Sequence, residues 1–418
     1  MSKFVIEGKN RLCGEIDIQG AKNSVLPVLA ATLLFEGISV IHNCPELSDV
    51  DVAIKILSFL GCKCKRENDT VIVDAINVNC DRIPDDLMRE MRSSVMFLGA
   101  ILARCSSAVI SSPGGCELGP RPIDLHLKAL YELGFNIEDK NGYILCSKSN
   151  RTPKNRINFS FPSVGATENA ILAAVLKKGR VILTGVAKEP EISDLADFLN
   201  KCGAKIRGAG SDVIEIVGVD KLFPSEHSII PDRIVAATYM SAAAVTGGSI
   251  ILKKIELDHI GAVINSFNDM GCEIITDSNS LKISANNPLS SIRLTKSLVY
   301  PGFPTDAGPL LVSALTLATG TSVFVETIFE NRFRYIDELV RLGADIRLQN
   351  KVAVIEGVRE LKGAAVSCTD LRGGAALVVA GLSANGITEI NKIYHIERGY
   401  ENIADNLSML GAKIKKEE

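Results

Sequence analysis

The sequence predicts an α/β protein built from six repeats of about 70 residues, three in each of two lobes. Two observations give the repeat: a hydrophobic-Gly-small phrase that recurs six times, and a second landmark at a fixed position upstream of each copy. A third gives the lobes. At 418 residues the chain is too long for a single compact core.

The phrase reads Leu60-Gly61-Cys62, Leu133-Gly134-Phe135, Cys202-Gly203-Ala204, Met270-Gly271-Cys272, Leu342-Gly343-Ala344 and Leu410-Gly411-Ala412, with successive glycines 73, 69, 68, 72 and 68 residues apart. Each copy ends an amphipathic stretch, where a helix closes on a left-handed residue that glycine adopts without a Cβ penalty. The upstream landmarks are Gly37, Ser107, Gly179, Gly248, Gly320 and Gly386. Each follows an Ala/Leu/Val-rich helical pattern and precedes a short β-branched run such as Ser322-Val-Phe-Val325. A repeat therefore reads helix, turn, strand, loop, second helix, phrase and a closing pair of strands. The third repeat ends near Asp220, and Lys221–Pro231 has the Pro, Ser and charge content of a linker. The first lobe is expected to span residues 21–230, and the second residues 1–20 with 231–418.

Composition excludes several classes. A net charge of −3 leaves no global basic field for nucleic acid or an anionic membrane. With 46% apolar and 23% charged residues the chain is globular. The uncharged runs Ile234–Leu252 and Ala307–Val325 are long enough to raise a membrane span, but Gly247-Gly248 and Gly320 divide them into helix, turn and strand. The stretch of residues 1–9 has no apolar run and no small-residue cleavage site, so a secretory signal is not expected there. Eleven scattered cysteines form no disulfide framework and suit a reducing cytoplasm.

Fifteen residues before the upstream landmarks lie Lys22, Arg92, Val164, Arg233, Thr305 and Leu371, at the predicted starts of apolar helices. Ser, Thr and Asp in these neighbourhoods read as helix caps. Lys22, Arg92 and Arg372 do not, because a cation at a helix N-terminus is unfavourable unless an anion lies beside it. Arg121 and Arg398 stand thirteen residues before their phrase glycines, and Arg332 eleven. Cations at matched phases of both lobes predict a ligand with several anionic groups, closed between them. Cys116 sits in Ser111-Ser-Pro-Gly-Gly-Cys-Glu-Leu-Gly-Pro-Arg121, a connection whose glycines and prolines prevent regular structure. Its thiol is expected to be exposed and reactive, with Arg121 and the following helix start favouring the thiolate. Cys62, Cys202 and Cys272, inside the phrase, are expected to be core residues. No metal-ligand spacing, Walker motif or dinucleotide fingerprint appears.

These residues resemble the UDP-N-acetylglucosamine 1-carboxyvinyltransferase family from about Phe4 to Lys415. The resemblance rests on Gly20-Ala-Lys-Asn, Pro113-Gly-Gly-Cys-Glu-Leu-Gly-Pro-Arg-Pro-Ile-Asp-Leu-His126, Ser163-Val-Gly-Ala-Thr, Phe303-Pro-Thr-Asp, Glu326-Thr-Ile-Phe-Glu-Asn-Arg-Phe, Thr369-Asp-Leu-Arg and Tyr394-His-Ile-Glu-Arg-Gly-Tyr. It implies a two-lobed inside-out α/β barrel, helices inside and sheets outside, whose first strand belongs to the second lobe. It also implies transfer of the enolpyruvyl group of phosphoenolpyruvate to the 3-hydroxyl of UDP-N-acetylglucosamine, with release of phosphate, at the first committed step of peptidoglycan synthesis. Lys22, Arg121 and Arg398 would hold the phosphate, with Arg92, Arg332 and Arg372 around the carboxylate. Cys116 would protonate the enol carbon, or add covalently to phosphoenolpyruvate. Asp306 would be the base at the sugar hydroxyl, Thr305 would bind substrate beside it, and Asn23 would position the sugar. Arg121, Pro122, Asp124, His126, Ser163, Val164 and Gly165 would hold the nucleotide, with Ile328 against the sugar. No metal or cofactor is implied, and the expected partners are the two small substrates alone, with no nucleic acid or membrane and a monomeric state. Phe161 stands where some members have Lys, which bears on one nucleotide contact. The rivals are the related enzyme acting on shikimate 3-phosphate, which lacks the Gly-Gly-Cys loop, and a silent duplicate that only binds UDP-sugar.

Overall fold

The computed structural model describes residues 2–111 and 123–418, which fold as two compact units. One contains residues 20–111 and 123–230, and the other residues 2–19 and 231–418. Each has its own hydrophobic core.

Within each unit, three apolar helices pack on one another. In the second these are Arg233–Thr246, Gly308–Leu315 and Leu371–Ser383. They are buried nearly all round: in Leu371–Ser383 only Leu371 escapes burial, which is why the sequence shows an Ala/Leu/Val run in place of an amphipathic stripe. In the first unit Phe97–Cys105 packs against Val164–Ala174, and Lys22–Ala31 packs against Phe97–Cys105. The sheets lie outside the helices and show alternating burial along their strands.

Among the described residues there are six sheets on one plan, five with four strands and one, built from Ser107–Ser111, Tyr143–Lys148 and Phe135–Lys140, with three. In the sheet containing Ile38–His42, that strand pairs with Thr70–Asp74, which returns against Lys63–Glu67. Glu226–Ser228 is added in parallel to Ile38–His42, with Glu226 opposite Val40. This corrects the linker expected over Lys221–Pro231: part of it is an edge strand that completes the sheet of the first repeat. In the last sheet, Lys3–Glu7 from the chain start lies between Ile387–Asn391 and Lys413–Glu417. It takes the place that a hairpin's return strand fills elsewhere. Where the chain passes from one unit to the other, near residues 20 and 230, Ala21 N donates to Ile230 O at 2.7 Å, and Asp232 N to Gln19 O at 2.8 Å.

The phrase glycines all have positive φ, from 88° at Gly271 to 104° at Gly61, so each marks a helix end that a side chain would strain. Two upstream landmarks move by one residue. The left-handed residues are Ser106 (φ 63°) and Gly247 (φ 64°), with Ser107 opening a strand and Gly248 packed against Leu12. The two long uncharged runs resolve into helix, turn and strand, and among the described residues no helix is long and apolar enough to cross a membrane.

Candidate functional site

Lys22, Arg92, Val164, Arg233, Thr305 and Leu371 are each the first residue of a helix or 3-10 segment. Three of these starts carry side-chain caps. Asp232 Oδ1 accepts from Ile234 N and Val235 N at 2.8 and 3.1 Å, and Asp370 Oδ1 from Arg372 N and Gly373 N, both at 3.0 Å. Ser163 Oγ accepts from Ala166 N at 3.4 Å. Ala21, Met91 and Pro304 supply no side-chain cap to the other three.

In the unit of residues 20–230, Lys22 is buried and paired with Asp49 Oδ2 at 2.6 Å. Asn23 follows it, half-buried. Ser163, Val164 and Gly165 are also half-buried, at the start of a helix whose body is core. Asp124 opens the Asp124–Glu132 helix and is exposed, while His126, one turn in, is buried. The ring of His126 lies against Gly165: a Cβ there would be 3.0 Å from its Cε1. Phe161 is 45% exposed. Cys116, Arg121 and Pro122 lie outside the described residues, as does the side chain of Arg92.

The other unit gathers Thr305, Asp306, Ile328, Arg332 and Arg372. Arg332 donates to Thr305 O through Nε at 3.2 Å and through Nη2 at 2.9 Å. The same Nη2 meets Asp306 Oδ1 at 2.5 Å, and Arg372 Nε meets Asp306 Oδ2 at 3.4 Å. Both arginines are buried, and together they fix the orientation of the Asp306 carboxylate. Burial works against the charge of Arg372, but the Tyr400, Asp306 and Asp232 oxygens outweigh it and hold the guanidinium above its ordinary pKa. Its Nη1 is buried without a hydrogen-bond partner among the described residues. A buried guanidinium with an unsatisfied donor is chemically able to hydrogen-bond an oxyanion. Arg398 is half-buried just after the short Tyr394–Glu397 helix. It is flanked by Gln19, whose amide donates to Gly399 O at 3.3 Å and accepts from Glu401 N at 2.9 Å.

Sequence reasoning missed two carboxylates. Asp49 partners Lys22 from another helix, a pairing without local signature. Glu326, 1% exposed, opens a motif already singled out, and its role appears only in the fold. Its Oε1 accepts from Ile328 N and Phe329 N at 2.7 and 3.0 Å, and its Oε2 accepts from Thr305 Oγ1 at 2.8 Å. It thereby ties two expected site residues together. Cys62, Cys202 and Cys272 are buried as expected, with burial pushing their thiols up to about 12, 12 and 11.

The description "EPSP synthase (3-phosphoshikimate 1-carboxyvinyltransferase)" belongs to the family model that matches residues 6–407. The enolpyruvyl transferase NikO from Streptomyces tendae has the same fold, with a TM-score of 0.89 at 23% identity over 99% of this chain and 98% of that one. The class is thus that of the carboxyvinyl, or enolpyruvyl, transferases. UDP-N-acetylglucosamine 1-carboxyvinyltransferase 2 of Caldanaerobacter subterraneus subsp. tengcongensis is 52% identical over 414 residues, 99% of each chain. UDP-N-acetylglucosamine 1-carboxyvinyltransferase 1 of Symbiobacterium thermophilum is 46% identical over 419 residues, 99% of this chain and 95% of the relative. Within its class, the chain belongs to the UDP-N-acetylglucosamine 1-carboxyvinyltransferase family.

Proposed function

We propose that this enzyme moves the enolpyruvyl group of phosphoenolpyruvate onto the 3-hydroxyl of UDP-N-acetylglucosamine, releasing phosphate, in a cytoplasmic step of peptidoglycan synthesis. The observation that carries this reading is the pair of buried arginines, Arg332 and Arg372, around the half-buried Asp306 carboxylate, with Arg372 Nη1 left unsatisfied. It joins an oxyanion receptor to a carboxylate able to take a hydroxyl proton.

In the addition step, the sugar oxygen bonds to C2 of phosphoenolpyruvate, Asp306 takes the hydroxyl proton, and the Cys116 thiol delivers a proton to C3. The product is a tetrahedral ketal that still bears phosphate. Elimination removes a proton from C3 and breaks the C2–O bond to phosphate, restoring the double bond. Lys22, Arg121 and Arg398 hold the departing phosphate, while Arg92, Arg332 and Arg372 receive the carboxylate. Asn23 orients the sugar and Ile328 packs on it. Asp124, His126, Pro122 and the Ser163–Val164–Gly165 turn hold the nucleotide with Arg121. Thr305 keeps Asp306 in place through the bonds that Arg332 makes to both residues. The two units, residues 21–230 and 1–20 with 231–418, supply these groups as separate lobes of a monomer.

The test is release of inorganic phosphate from phosphoenolpyruvate with each acceptor in turn. Release that requires UDP-N-acetylglucosamine supports the reading. Release with shikimate 3-phosphate in its place overturns the substrate, and binding of UDP-sugar without release would mark a silent duplicate.

A further inference from the structure

Asn169 lies in the interior of the Val164–Ala174 helix, fully buried, and its amide meets three other elements. Its Oδ1 accepts from Gly99 N at 2.6 Å. Its Nδ2 donates to Val95 O at 3.0 Å and stands 2.8 Å from His126 Nδ1. The orientation of this amide follows from the backbone alone. Gly99 N–H can only donate, so the atom facing it is the carbonyl oxygen; Val95 O can only accept, so the atom facing it is the amide nitrogen. An amide NH2 has hydrogens and no lone pair to offer, so His126 Nδ1 is the acceptor of their contact. A neutral imidazole that accepts at Nδ1 carries its proton at Nε2.

The Cε1–Nε2 edge of that ring is the edge against Gly165, where a Cβ would come within 3.0 Å of Cε1 and 3.3 Å of Nε2. Glycine at 165 therefore lets a ring of fixed polarity reach the Ser163–Gly165 helix start. Gly99 is constrained too: a Cβ there would lie 2.4 Å from Asn169 O, so the close approach that brings Gly99 N–H to Asn169 Oδ1 needs glycine.

We propose that Asn169 is a positioning residue of the UDP-sugar site, locking His126 in its Nε2–H form so that the ring offers a donor to an oxygen acceptor of the nucleotide. The acceptor is a diphosphate oxygen or a carbonyl of the uracil ring. The opposite tautomer would turn a lone pair toward the same oxygen. This rests on the nucleotide assignment of His126 above.

The tautomer is read by nitrogen-15 NMR of the histidine side chains in the full chain, which has five histidines. His126→Gln assigns the resonance. The expected spectrum has His126 protonated at Nε2 and bare at Nδ1, and a proton on Nδ1 in the unmodified protein overturns the proposal. The second readout is calorimetric affinity for UDP-N-acetylglucosamine in a double-mutant cycle. Asn169→Leu is expected to weaken binding about tenfold, a difference of about 1.4 kcal/mol. In a His126→Leu background it is expected to weaken binding by less than twofold. Equal losses in the two backgrounds would mean that Asn169 acts only as a structural brace. Should Asn169→Leu not fold, His126→Gln, which keeps a donor near the Nε2 position, must hold affinity while His126→Leu loses it; equal loss contradicts the donor role. Comparing UDP with CDP separates the acceptors. If Asn169→Leu weakens both alike, the acceptor is a phosphate oxygen or O2, the carbonyl that cytosine keeps; if it weakens only UDP, the acceptor is O4, which cytosine replaces with an amine. If the unmodified protein does not bind UDP-N-acetylglucosamine, the functional reading fails while the NMR result stands by itself.

Discussion

Removing the carboxylate of Glu326 should loosen Thr305 and Ile328 together, because this one buried group holds both. It accepts three hydrogen bonds, at 2.7, 3.0 and 2.8 Å, from Ile328 N, Phe329 N and Thr305 Oγ1. Hydrogen bonds to a charged acceptor contribute about 1.5 kcal/mol or more each net of desolvation, so three make an upper figure of roughly 4.5 kcal/mol. Water reaching the freed donors in the smaller side chain's place recovers part of that, so Glu326→Ala should cost about 3 kcal/mol. Glu326→Gln keeps an oxygen for the two backbone donors, and the Thr305 hydroxyl can reverse its role, so the cost falls to about 1 kcal/mol. The assay is urea unfolding followed by circular dichroism, comparing the midpoint of the same transition at unchanged slope. KM for UDP-N-acetylglucosamine should rise about tenfold in the Ala variant, equivalent to about 1.4 kcal/mol. A loss below about 1 kcal/mol for Ala, or equal losses for Ala and Gln, would refute the reasoning, since both substitutions remove the charge but only one removes the acceptor.

Four further outcomes concern other groups of the chain. Glu168 is fully buried, and its carboxyl is raised well above the usual range by burial first and then by Glu191 and Glu189. Its folded form holds the proton more tightly than the unfolded chain does, so stability should fall as pH rises above about 4.3, the unfolded glutamate value, toward the folded one. Glu168→Gln should match the parent in melting temperature near pH 4 and exceed it increasingly toward pH 8; parallel curves would contradict this. Asp194 is buried against His227 Nε2 at 2.9 Å and accepts from Ser24 Oγ, so Asp194→Ala should cost about 2–4 kcal/mol and Asp194→Asn less than half that, measured by urea unfolding. Cys116→Ala should lower turnover at least about a hundredfold near neutral pH, while Cys116→Asp, which supplies another proton donor, keeps part of it. Peptide mapping after treatment with the epoxide fosfomycin should find Cys116 modified; labelling spread over the other ten cysteines, Cys13 on the Cys13–Asp17 strand among them, would contradict the exposed-loop argument.

The fold was legible because its repeat leaves marks in local sequence. A positive φ at each phrase glycine and an all-apolar helix before each strand survive as letters at regular spacing. The strand Glu226–Ser228 was not legible, because a three-residue edge strand has too little alternation to outweigh the proline, serine and charge around it. Neither was the place of Lys3–Glu7 in the last sheet, since its partners lie at the far end of the chain; the family resemblance assigned it to the second lobe without naming its sheet. At the site, the phase of Lys22, Thr305 and Leu371 pointed to helix starts, and those residues do open helices or 3-10 segments. Asp232 and Asp370 turned out to be caps, the ordinary use of an acid at that position. What escaped were the carboxylates and amides that hold site residues from other elements: Asp49, Glu326 and Asn169. Thr305 is 21 residues from Glu326 and His126 is 43 from Asn169, and no periodicity encodes such pairs.

The bond that breaks in phosphoenolpyruvate is the most direct test of the account, because transfer of a carboxyvinyl group requires cleavage between carbon and the bridging oxygen. Phosphoenolpyruvate carrying oxygen-18 in the bridge should be incubated with the enzyme and UDP-N-acetylglucosamine, and the released phosphate analysed by mass spectrometry. The label should leave entirely with phosphate, and the sugar product should gain an unlabelled enolpyruvyl ether. Label retained on the three-carbon fragment, with unlabelled phosphate, would mean that the P–O bond breaks and that no carboxyvinyl transfer occurs.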